Sequence, residues 1–268
     1  MKLYNIYDES FLKKKLEGLL TKMEIKKDLK IKENIFLSNN ILQSSEEQET
    51  LKESSNGRFN PYENNSGTTL CIKQSGYIIA ACDTRHSGEM NINSREMTKI
   101  YSIGDFILTT TGFYADSYEL SIRLKYQINM YEVQHNKKIT IHSAAHLLCN
   151  ILYSKRFFPY FTFCCLCGFE NKIPYIYSYD PVGSYQECSC RCNGSGAGMI
   201  QPLLDSLISK KNWNNCTIQD LNDEDGLKLV QKAFEAASER DVKTGDFLEV
   251  YIIKEGEIQK SVFPLRKD

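Results

Sequence analysis

The chain has 268 residues, 41% hydrophobic and 25% charged, an ordinary globular composition with room for one large domain or two small ones. Its formal net charge of −1 removes the electrostatic case for nucleic acid or an anionic membrane surface. No run approaches the roughly 18–20 apolar residues that a membrane helix requires, and Asp8, Glu9 and Glu17 argue against an organelle transit peptide.

The N-terminal lysines precede no apolar stretch of a secretory signal, so the expectation by elimination is a soluble intracellular protein whose ten cysteines are reduced thiols. Residues 1–57 are rich in Lys, Glu, Asn and Ser and contain neither proline nor cysteine. Leu16, Leu19, Leu20 and Met23 keep helical spacing there, and the polar stretch 44–57 ends in S-S-N-G, a turn or linker. Two readings stand for 1–57: a flexible extension, or a propeptide removed on maturation.

From residue 58 onward the pattern is dense. Strands are predicted at 68–73, 77–82 and 106–111. A helix follows over 117–133, with Leu120, Leu124, Ile128 and Tyr131 on one face, and a second fits 140–154. Strands return at 160–167, 174–179 and 185–192, then helices at 198–210 and 223–239. Two last strands, 247–253 and 258–263, flank a K-E-G-E turn. Strands and helices alternating in groups imply an α+β protein built of packed layers.

Several polar and thiol groups invite a metal reading. Cys164 and Cys167 form a C-x-x-C, while Cys188, Cys190 and Cys192 alternate and so are placed on one sheet face. Both sets lie in strand-like apolar runs, which favours small core fillers over zinc ligands. His142 and His146 are four apart on a predicted helix, but no glutamate lies between them as in H-E-x-x-H, which favours packing or an interface. No metal and no cofactor are expected. Phe157, Phe158 and Tyr160 are aromatic candidates for contact with a partner.

The sequence S-G-T-T-L at 66–70 opens a strand, a turn at 73–76 reverses it, and the return strand runs into Asp83, with Lys99 beyond. A threonine freed by cleavage after glycine can use its own α-amine as general base, with a lysine and an aspartate easing deprotonation. Eight segments in order carry a resemblance: F-N-P-Y at 59–62, G-T-T-L at 67–70, A-C-D-T-R at 81–85 and L-Y-S-K-R-F-F-P-Y at 152–160. They continue with Y-S-Y-D-P-V-G-S-Y at 177–185, Q-P-L-L-D at 201–205, E-R-D-V-K-T-G-D at 239–246 and L-R-K-D at 265–268. Over 58–268 the chain thereby resembles the proteasome beta subunits, specifically their sixth-subunit branch, within the N-terminal nucleophile hydrolase superfamily.

The resemblance implies a four-layer αββα sandwich over 58–268. It implies assembly with proteasome alpha and beta subunits in a 20S core particle, with the fifth and seventh beta subunits as ring neighbours, and a place in cytoplasm and nucleus. Carried over residue by residue, the pocket comprises Asp83, Lys99, Ser195, Asp241 and Thr244, the last replacing the usual serine, with Gly112 as the oxyanion glycine. The nucleophile is out of step. The resemblance implies sixteen residues from threonine to aspartate and thirty-two to lysine, whereas Thr68 stands fifteen before Asp83 and thirty-one before Lys99.

The position at the right distance is Gly67. A slip of one residue in a strand turns a side chain to the opposite face, so Thr68 is expected to point away from Lys99 unless the turn absorbs the difference. The branch it resembles shares this spacing and keeps residues ahead of the glycine. The chain is therefore expected to be a non-catalytic structural subunit in ubiquitin- and ATP-dependent protein degradation, its pocket of Gly67, Thr68, Asp83, Lys99, Ser195, Asp241 and Thr244 a remnant. The alternatives are an active threonine endopeptidase with a freed Thr68, and a homomeric hydrolase of bacterial type.

Overall fold

The computed structural model describes residues 62–65, 67–88, 90–210 and 220–267. The extension 1–57 lies outside the described residues. Two five-stranded sheets form the centre of the molecule. The first has the order β10-β1-β2-β11-β12, built from Cys190–Gly194, Thr68–Gln74, Tyr77–Asp83, Phe247–Lys254 and Glu257–Pro264. The second has the order β5-β6-β7-β8-β9: Ile100–Ile103, Phe106–Gly112, Thr162–Glu170, Ile173–Tyr179 and Tyr185–Glu187. A short ribbon joins β3, His86–Ser87, to β4, Ile92–Ser94.

Three apolar clusters separate four layers. Between the sheets lie Cys71, Ile78, Ala80, Cys82, Ile107, Cys165, Cys167 and Ile176. Outside the first sheet, Leu70, Ile72, Ile79 and Leu248 meet Ile200 and Leu204 of α3 (Ala197–Leu204) and Val230 and Phe234 of α4 (Asp223–Ser238). Outside the second, Leu108 and Leu166 meet Leu120 and Leu124 of α1 (Tyr114–His135) and Leu148 of α2 (Ile141–Tyr153). Every residue of β2 is buried because both faces of its sheet are covered. Each fully buried Leu or Ile contributes about 1.5–3 kcal/mol relative to exposure, so the order α-β-β-α follows from having two double-sided sheets to cover. The protein is the expected αββα sandwich.

Several predicted boundaries are corrected. The segment 185–192 is two strands: β9 belongs to the second sheet, and after Cys188 and Ser189 the chain crosses to the first sheet as β10. Cys188 therefore packs against the inter-sheet cluster, while Cys190 and Cys192 face α3, so the three cysteines do not share a face. Cys164 and Cys167 likewise face opposite sides of β7. The strand predicted at 160–167 starts at Thr162, and Tyr160 is a core residue rather than a surface contact, unlike the exposed Phe157 and Phe158. Helix 198–210 is α3 followed by a π turn, Asp205–Ser209, closed by Lys210 N–H donating to Asp205 O. His142 is tied to Tyr177 by a 2.6 Å hydrogen bond across the α2–β8 contact. The short strands β3, β4 and β5 were absent from the sequence reading.

Candidate active-site pocket

β1 and β2 form a hairpin, and β10 pairs with the other edge of β1, so Thr68 starts β1 opposite Gly194, with Gly67 just ahead of it. Gly67 adopts φ +83°, a left-handed conformation that glycine tolerates and L-residues resist. A Cβ on Gly67 would run into Lys99 Cε and Nζ and lie 2.9 Å from Asp83 Oδ1. The lysine fills the volume that a side chain at position 67 would need.

Lys99, just ahead of β5, is 5% exposed. Its ammonium donates to Asp83 O at 2.8 Å, Asp83 Oδ1 at 3.0 Å and Arg85 O at 2.8 Å, which uses all three protons. Asp83 Oδ1 also accepts from Thr68 N–H at 2.7 Å, and Oδ2 from Gly245 N–H at 3.4 Å. Burial raises the Asp83 pKa, and the Lys99 charge and these donors oppose the rise.

The Thr68 hydroxyl lies on the other face of the sheet, the face that carries Leu70 and Ile72 toward α3 and α4. It accepts from Gly196 N–H at 2.9 Å and sits 2.7 Å from Thr244 Oγ1. Thr244 donates its single proton to Asp241 Oδ2 at 2.6 Å, so the Thr68 proton is directed onto Thr244. Ser195 closes the group, its N–H donating to Gly67 O at 3.1 Å and its hydroxyl 3.4 Å from Thr244 Oγ1. The seven residues named from sequence thus lie together, but as two networks. One is the charged pair at Gly67; the other is a hydroxyl chain at Thr68 ending in Asp241.

Residues 62–65 run across the pocket. Asn65 is buried; its N–H donates to Gly112 O at 3.1 Å, its side-chain oxygen accepts from Tyr114 N–H at 2.9 Å, and its carbonyl accepts from Ser87 N–H at 3.4 Å. Tyr62 donates to Pro159 O at 2.6 Å and stacks on Phe158. The strap therefore takes the Gly112 carbonyl; the Gly112 N–H, the group expected to serve an oxyanion, is not engaged by Asn65. Gly112 must be glycine, because at φ +115° a Cβ would meet Phe161 O.

Three features escaped the sequence reading. Arg85, 1% exposed, donates through Nε to Asp246 Oδ2 at 2.9 Å, and it caps the carbonyls of Val242 and Arg266. Arg85 and Asp246 each end a quoted motif, A-C-D-T-R and K-T-G-D, which was the available signal. Asn65 is the second. His86 is the third: both its ring nitrogens are enclosed with no partner among the described residues, facing a cavity of about 10 Å³ with Lys99, Thr110 and Tyr114. Burial, and then Lys99, lowers its pKa, while Glu63 opposes the shift.

Among the described residues no group of three or more His, Cys, Asp or Glu is arranged to hold a metal ion. Chemically, nucleophilic catalysis needs a hydroxyl within reach of a base. Position 67 faces the lysine without a hydroxyl. Thr68 has the hydroxyl, but its nitrogen is an amide whose proton is given to Asp83.

A family model described as proteasome subunit matches residues 63–253. A probable proteasome subunit beta type-6 of Encephalitozoon cuniculi is 59% identical over 211 residues, covering 79% of this chain and 72% of that protein. Proteasome subunit beta type-1 of Danio rerio is 39% identical over 79% of this chain and 90% of its own length. Proteasome subunit beta type-6 of Saccharomyces cerevisiae is 37% identical over 79% and 92%.

Proposed function

This chain belongs to the proteasome subunit family as a beta subunit of the core particle, and from that premise we propose that it serves protein degradation as a non-catalytic member of the particle. Gly67 carries this reading: the place beside Asp83 and Lys99 has no hydroxyl and no volume for one. The Asn65 strap supports it, because a substrate strand entering between Gly112 and Ser87 would first have to displace Asn65 from both. Asp83 and Lys99 on one side, and Ser195, Asp241 and Thr244 on the other, then act as two self-satisfied polar networks that fix the start of β1 between β2 and β10.

In this reading the subunit is a wall and a neighbour in the ring. The fifth and seventh beta subunits flank it, it works in ubiquitin- and ATP-dependent turnover in cytoplasm and nucleus, and residues 1–57 are a propeptide or extension ahead of the 58–268 domain. The test is a Thr68→Ala variant in the assembled particle. Peptide hydrolysis per particle should be unchanged; loss of one hydrolytic specificity would instead mark Thr68 as a nucleophile.

A further inference from the structure

Beside the strap residue Asn64, a cleft of about 350 Å³ opens between Thr111 and Gly112 of the second sheet and Asn193 and Gly194 of the first. One wall is β10, an edge strand of the first sheet, with Arg191 and Gly194, continued by Ser195. The other is Phe161, just ahead of β7, and Phe163 within it, which is 39% exposed. Arg191 is half-buried and makes one long contact, Nε to Asn193 Oδ1 at 3.4 Å. Among the described residues it pairs with no carboxylate, unlike the fully buried Arg85, which is paired with Asp246.

The cleft therefore offers an unspent planar guanidinium beside an aromatic wall. A guanidinium of this kind matches a carboxylate bidentately. The aromatic wall matches an apolar side chain, and 350 Å³ holds about one or two residues. A carboxylate and an apolar side chain borne on the same Cα are what the C-terminus of a peptide presents. A particle that degrades proteins continuously generates such ends.

We propose that this cleft is a binding site for peptide C-termini, with Arg191 taking the terminal carboxylate and Phe161 and Phe163 taking the last side chain. No bond is made or broken there. The subunit would retain cleaved peptides rather than cut them, which rests on the non-catalytic reading for the absence of turnover, though not for the binding.

The test uses assembled particles whose active sites are covalently blocked by a threonine-directed inhibitor. They are photo-labelled with a tripeptide ending in phenylalanine as the free acid, with its C-terminal amide, and with an amide carrying an internal aspartate. Labels are mapped by mass spectrometry. The free acid should label 161–163 or 191–197 of this chain, and both amides should label it at least tenfold less, as expected for loss of a charge-assisted pair. Arg191→Gln should lower labelling by the acid to a similar extent.

Equal labelling by acid and amide, strongest labelling by the aspartyl amide, or labels only elsewhere would each overturn the proposal. A neighbouring subunit's segment found seated in the cleft would do the same. If Arg191→Gln fails to assemble, the acid–amide difference on the unaltered particle decides. An inhibitor adduct on Thr68 would sink the non-catalytic reading while leaving that difference untouched.

Discussion

The two sides of the Gly67–Thr68 bond contrast sharply. On the Gly67 side the groups are charged, buried and saturated: Lys99 spends all its protons on Asp83 and Arg85. On the Thr68 side they are neutral hydroxyls in a chain that reaches the half-buried Asp241. A working threonine nucleophile needs both sets of groups at one residue. Here a one-residue difference in strand register gives each set to a different residue. The parts of an active site can all be present and still not form one.

That contrast can be broken from either side. Lys99→Met should have the largest effect, about 3–5 kcal/mol of lost stability, because it strands a buried Asp83 carboxylate without its counter-charge. Hydrogen exchange of β1 and β2 amides in the assembled particle would show it. Gly67→Ala comes next, at about 2–4 kcal/mol, since a Cβ at φ +83° is strained and displaces Lys99. The same exchange measurement should find the loss centred on 67–70, with no gain in hydrolysis.

Thr68→Val should cost less, about 1–3 kcal/mol, by leaving the Gly196 N–H and the Thr244 oxygen short of a partner. Were the charged side disturbed as strongly as the hydroxyl side, the two networks would be one. The smallest effect concerns His86, which lies beneath the strap. Its pKa is lowered in the folded chain from the ordinary 6.5, so below pH 6.5 the unfolded chain binds the proton first. Stability therefore falls as pH drops from 6.5 toward the folded value. His86→Gln should flatten that slope, read as strap exchange at Asn65 across pH 5–7.

Much of this was legible in the sequence. The alternation of 68–73 and 77–82 marked the hairpin, and counting from Asp83 and Lys99 singled out Gly67. The break at Cys188–Ser189 was not legible, because period-two alternation continues across it while the chain changes sheets, and no local signal reports which sheet a strand joins. The strap was hidden for a similar reason. Asn65 is a short polar residue in a loop-like stretch, and its importance comes from Gly112, Ser87 and Tyr114, which only folding brings near. Arg85 showed the same limit: a buried cation reads as a surface charge until Asp246 is placed beside it.

The most direct test of the central claim is the N-terminal residue of this subunit in the assembled core particle, determined by intact mass and terminal sequencing. The expected chain still carries Asn65 and Gly67 ahead of Thr68, with no adduct after exposure to a threonine-directed inhibitor. A chain beginning at Thr68 and bearing the inhibitor would contradict it.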